Sequence, residues 1–142
     1  MKNIIPRFHL AFPVHDLEEA RRFYVDTIGC KAGRESDKWI DFDLYGHQIV
    51  AHLSPGDCNP VSTNSVDEDN IPCRHFGVIL KWKEWEILKN RIIKLNHGIL
   101  VEPKIRFKFK PGEQGTFFIN DPSGNALEFK TFKNDSMVFE KL

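Results

Sequence analysis

Two stretches of this chain open alike: His9-Leu-Ala-Phe-Pro-Val14 and His75-Phe-Gly-Val-Ile-Leu80. Each is an apolar, β-leaning run behind a histidine, and each reads as a strand. A helical pattern follows both. After the first, Asp16 is a good N-cap with Glu19 as capping-box partner; Leu17, Ala20, Tyr24 and Ile28 fall near one face, and Gly29 ends the helix. After the second, Trp85, Leu88, Ile92 and Leu95 repeat at helical spacing and Gly98 closes. Short β-like runs come next, at 30–34, 39–44 and 48–53 in the first half and at 99–102, 115–120 and 126–132 in the second. The chain therefore reads as β-α-β-β-β twice, an α+β class in which one module leaves a sheet face that a second must cover. Module one spans about 7–54 and module two about 74–134. The turn-rich stretch between them, about 55–73, is expected to be an exposed loop, and the whole 1–142 to form one domain.

Composition narrows the function classes. Twenty basic residues balance twenty acidic ones among 142, so no charge stripe directs the chain to nucleic acid or an anionic membrane. No apolar run approaches a membrane span, and residues 1–7 lack the features of a signal peptide. Three loosely spaced cysteines, Cys30, Cys58 and Cys73, read as reduced thiols, so a cytoplasmic protein is expected.

The repeat places His9 and His75 at one point of the first strands. Aligning Ile49-Val-Ala-His52-Leu53 with Asn125-Ala-Leu-Glu128-Phe129 sets His52 and Glu128 at one point of the last strands. Three imidazoles and a carboxylate at related places suit a divalent metal: iron(II), manganese, nickel, zinc or cobalt. Each alone would be an ordinary strand residue; their coincidence carries the reading. His47, five residues from His52, is aimed at the opposite face. His97 beside Gly98 belongs to a helix end, and His15 to the turn before the first helix.

These residues resemble the vicinal oxygen chelate superfamily of glyoxalase I, extradiol dioxygenases, fosfomycin-resistance transferases and bleomycin-resistance proteins. The resemblance runs from about Phe8 to Phe132, carried above all by 9–29 and by Phe118-Ile-Asn-Asp-Pro-Ser-Gly-Asn-Ala-Leu-Glu128. It implies paired βαβββ modules curving into a half-open β-barrel around a metal, with His9, His75 and Glu128 as ligands. His52 matches a fourth-ligand place or serves as a nearby acid/base. The segments 39–53 and 105–124 most resemble small extradiol-type dioxygenases, implying iron(II), a catechol-like substrate with adjacent oxygens and a homodimer. One departure is visible. Where established extradiol enzymes carry a His and then a Tyr, this chain has about 109–111 and Phe118, and Phe donates no proton. The alternatives are a glyoxalase-type isomerase or lyase, a fosfomycin-type thiol transferase, and a binding protein without turnover. Arg106 and Lys108, alternating with Phe107 and Phe109, read as an arm offering a cation to an anionic substrate or as an edge strand with its charges in water. Asp121-Pro122-Ser123-Gly124 reads as a structural turn.

Overall fold

The computed structural model describes residues 4–66, 68–96 and 98–141, and divides the chain into two units, 1–59 and 60–142. Position 97, where a helix-end histidine is expected, lies outside the described residues. The class is α+β as expected: each unit carries a helix and a four-stranded sheet.

In the first unit, β1 (His9–Val14) leads to α1 (Leu17–Arg21), which continues as a π-helix through Arg22–Ile28. The Asp16 carboxylate accepts the Glu19 N–H at 2.9 Å, and Gly29 closes the helix at φ 95°. Then come β2 (Lys31–Glu35), β3 (Trp39–Leu44) and β4 (His47–Leu53), in sheet order β1-β4-β3-β2. β4 runs parallel to β1 and antiparallel to β3. One sheet face is sealed by the helix. Tyr24, fully buried, sits among Phe12, Phe23 and Phe42 at ring separations of 5.3, 4.9 and 5.1 Å. Strand alternation then turns His9, Ala11, Pro13, Gln48, Val50 and His52 to the other face.

The first unit ends and the second opens where a loop is expected, and the expectation needs correcting. Residues 55–57 form a short 3-10 turn, while β5 (Thr63–Val66) and β6 (Asp69–Pro72) pair as a hairpin. β5 is exposed along its length, so no alternation betrays it; Ile71 of β6 joins Val101 and Phe118 in a small apolar cluster. The expected 75–80 strand is also shorter. Phe76 makes an isolated bridge to Leu127, and only β7 (Ile79–Leu80) is regular. The cause is Gly77, where an added Cβ would lie 1.6 Å from the Glu128 carbonyl oxygen. The backbone passes too close to its neighbour for a normal ladder.

α2 (Trp82–Leu95) follows, then β8 (Ile99–Arg106), β9 (Gln114–Asn120) and β10 (Ala126–Phe132), in sheet order β7-β10-β9-β8. α2 buries Trp85, Leu88 and Ile92, but Leu95 is exposed, because Asn96 at φ 50° ends the helix ahead of Gly98. The Trp85 ring lies 5.8 Å from Phe117 and its indole N–H donates to the Phe129 carbonyl at 2.9 Å. Asp121 organises the β9–β10 loop as expected. Its carboxylate accepts the Ser123 N–H at 2.9 Å and the Asn125 N–H at 2.8 Å.

Candidate metal centre

In the second unit two of the four candidate ligands meet. His75 Nε2 lies 3.1 Å from Glu128 Oε2, with the side chains 30% and 16% exposed. The other atoms of both groups are occupied. His75 Nδ1 is 2.8 Å from the Pro72 carbonyl oxygen, which only accepts, so Nδ1 carries the proton. Buried Thr116 donates its hydroxyl to Glu128 Oε1 at 2.7 Å. The edge-on Phe118 ring, 5.0 Å away, backs the imidazole. With Nδ1 committed to Pro72, it is Nε2 that faces the carboxylate oxygen, an approach that a proton on Nε2 or a shared cation completes.

The donor set fits a metal. Two donors bound cis to one octahedral ion at about 2.1 Å lie about 3.0 Å apart, close to the observed separation. A ligating histidine normally donates its second N–H to a carbonyl or carboxylate, as His75 does to Pro72. Within each unit, among the described residues, no three His, Cys, Asp or Glu side chains form a ready-made cluster.

In the first unit His9 and His52 share a sheet face but not a level. His9 pairs with Gln48, while His52 pairs with Pro13 four residues on, about 13 Å along the strand. Hydrogen bonds show where the repeat alignment slipped. Gln48 N–H donates to Phe8, and Glu128 N–H to Phe76. With His9 matched to His75, the counterpart of Glu128 is therefore Val50, and that of His52 is Lys130, which pairs with Ile79. The hairpins ahead of these strands differ as well: two residues join Leu44 to His47, whereas five join Asn120 to Ala126. A slip of two residues leaves every side chain on its own face, so apolar alternation could not expose it.

His9 Nδ1 lies 2.8 Å from Gln48 Oε1, and Gln48 Nε2 donates to Asp41 Oδ2 at 3.2 Å. Arg34 Nε stands 3.8 Å from the same oxygen. Asp41, Gln48, Arg34 and Arg7 help line an open cleft of about 400 Å3. His47, on the face opposite His52, accepts the Phe8 N–H on Nδ1 at 2.9 Å.

Arg106 does not hang in water. Its side chain is 20% exposed and its Nη2 lies 3.7 Å from Asp69 Oδ2, an oxygen also held by Lys104. Lys108 lies past the end of β8, its ammonium 5.2 Å from the Phe109 ring centre. Phe107 and Phe109 take φ of 55° and 63°, unusual for such residues. Burial pushes the Cys30 thiol up to about 12, with the Asp43 charge adding to it, so it stays protonated.

Thr116, Gln48 and the Pro72 carbonyl are the partners that sequence reasoning missed. Only Thr116 left a signal, a polar residue beside the apolar run 117–119 of β9.

Comparison with known proteins bears on the whole chain. The family described as Glyoxalase/Bleomycin resistance protein/Dioxygenase superfamily matches residues 8–129. A glyoxalase/bleomycin resistance protein/dioxygenase from Alicyclobacillus acidocaldarius is 35% identical with a TM-score of 0.77, over 98% of this chain and 100% of that one. The fosfomycin resistance protein FosX from Listeria monocytogenes is similar in fold, with 16% identity, a TM-score of 0.66, and 94% and 98% of the two chains covered. A virulence protein from Salmonella typhimurium is 21% identical with a TM-score of 0.60, over 91% and 98% of the chains. No curated protein matches the sequence. Among the described residues no helix is long and apolar enough to cross a membrane.

Proposed function

Because the chain belongs to the glyoxalase/bleomycin resistance protein/dioxygenase superfamily, we propose that it is a metal-dependent enzyme whose divalent ion is held by His75, Glu128 and His9. The substrate is a small molecule that chelates the ion through two adjacent oxygens. The observation that carries this reading is the 3.1 Å approach of His75 Nε2 to Glu128 Oε2, with the other face of each group already satisfied. A bound divalent ion supplies Lewis acidity and open positions for substrate oxygens. The protein's own groups do the orienting. Pro72 sets the His75 tautomer, Thr116 holds one carboxylate oxygen so that the other faces His75, and Phe118 keeps that side apolar.

The reaction assigned is extradiol-type ring cleavage of a catechol-like substrate with iron(II), the metal that a two-histidine, one-carboxylate set suits. Val50, the repeat counterpart of Glu128, is apolar, so the first unit carries no second carboxylate at that position, which argues against an isomerase with four protein ligands. His52, about 13 Å along the strand from His9, is not a ligand in this reading. A second reading, thiol transfer to fosfomycin with the metal as Lewis acid, is favoured by Phe118, which has no hydroxyl to move a proton. A reducing, cytoplasmic setting suits three free cysteines, and the resemblance implies a homodimer.

The test is metal analysis of anaerobically purified protein, followed by oxygen uptake with a catechol panel. About one iron per chain with catechol-dependent uptake supports ring cleavage; consumption of fosfomycin and a thiol without oxygen supports the second reading. His9→Ala, His75→Ala and Glu128→Ala should each lower metal content. Failure of the intact protein to hold any divalent metal refutes the function.

A further inference from the structure

In the unit that carries His9, an amide and a carboxylate, among the described residues, take the role that a backbone carbonyl has on His75. A carboxylate only accepts hydrogen bonds, so Asp41 Oδ2 obliges Gln48 to turn its NH2 toward it, as the 3.2 Å contact shows. The amide oxygen then necessarily faces His9, 2.8 Å from Nδ1, and it too only accepts. A proton must sit on Nδ1, so in the neutral imidazole the lone pair is on Nε2.

We propose that Asp41 and Gln48 are positioning residues that lock His9 in the Nδ1–H tautomer, making Nε2 a ligand before any metal arrives. The consequence for the metal rests on the reading of His9 as a ligand; the tautomer itself does not. The built features support a dedicated device. Asp41 is buried at 8% exposure, where a charge needs partners, and its nearest are Gln48 and the Arg34 guanidinium. Gly33 leaves an added Cβ only 3.3 Å from the Asp41 Cβ, so the neighbouring strand makes room for that side chain. Asp43, next along the same face, is occupied elsewhere, accepting the Gly46 N–H at 2.6 Å. His75 reaches the same tautomer through Pro72, so each unit solves one problem by a different route.

The test reads imidazole tautomers by heteronuclear NMR of the isotope-labelled, metal-free full chain, at a pH of about 8 where imidazoles are neutral. Wild type should show His9 protonated on Nδ1. Gln48→Leu should move it toward Nε2–H, the form histidine prefers in water, and weaken Mn(II) binding about 10–100-fold. Asp41→Asn should loosen the preference, since an amide at 41 can donate or accept. The double variant Asp41→Asn with Gln48→Glu should restore both tautomer and affinity. The amide introduced at 41 then donates to the carboxylate introduced at 48, which accepts from Nδ1–H of His9. A merely structural role predicts no such rescue. Should Gln48→Leu fail to fold, the two variants at 41 and 48 that preserve size decide. An Nε2–H form in wild type, a tautomer indifferent to Gln48, or a double variant that rescues nothing overturns the relay. Unchanged Mn(II) affinity in His9→Ala overturns the ligand role of His9 instead, and the imidazole spectrum still decides the relay.

Discussion

Replacing Gly77 with alanine would set a methyl group 1.6 Å from the Glu128 carbonyl oxygen and 2.6 Å from its carbonyl carbon. Cβ contacts below 3.0 Å essentially do not occur, so the two backbones must part by about 1.4 Å. Both obstructing atoms are main chain, and no rotamer change relieves them. What must yield is the bonding across this seam: Phe76 N–H to Ala126, Glu128 N–H to Phe76, and Lys130 N–H to Val78, at 3.2, 2.9 and 3.2 Å. Overpacking costs about 1–3 kcal/mol, and a weakened backbone hydrogen bond adds about 0.5–1.5, so the expected loss is about 2–4 kcal/mol. A shift of that size also exceeds the roughly 0.2 Å tolerance of a metal ligand and pulls Glu128 from His75. Urea unfolding followed by circular dichroism, beside Mn(II) titration, measures both effects. Gly56→Ala is the control, since nothing lies within 4 Å of its added Cβ. A Gly77→Ala protein as stable as that control, binding Mn(II) like wild type, would refute both the close approach and its link to the site.

Further outcomes are expected. Thr116→Val, nearly isosteric, removes the hydroxyl that holds Glu128 Oε1 and should weaken Mn(II) binding about 10-fold or more by titration, with the fold retained. His52→Ala should keep full metal content, because His52 lies at the level of Pro13; lost metal would restore it as a ligand. Cys73 should react readily with a maleimide while Cys30 resists in the folded chain. The same raised thiol predicts alkaline sensitivity. Folded Cys30 keeps a proton that the unfolded chain releases, so its contribution is complete below a pH of about 9 and is lost as pH rises toward about 12. Cys30→Ala should flatten that part of the stability profile in alkaline denaturation. Trp85→Phe should cost about 2–4 kcal/mol by thermal or urea melts, through a cavity and the loss of the indole hydrogen bond to the Phe129 carbonyl.

Much was legible in the chain because the signals were local. The doubled strand-helix pattern, the Asp16 cap, the Asp121 turn and the periods within both helices depend on residues a few positions apart. The β5–β6 hairpin was not legible: its exposed residues lack alternation, yet it brings the Pro72 carbonyl that orients His75. Phe76–Val78 escaped as regular strand because Gly77 answers to a backbone about fifty residues away.

By itself the sequence determined the α+β class, the duplicated architecture and the residue types able to bind a metal, since short-range pattern and side-chain chemistry suffice for these. Register was decided only in the tertiary structure. A two-residue slip conserves face and hydrophobic pattern, and long-range backbone hydrogen bonds alone distinguish Val50 from His52 as the repeat counterpart of Glu128. The tautomers, too, depend on groups brought together from distant strands, Gln48 with His9 and Asp41, where geometry chooses which atom may donate.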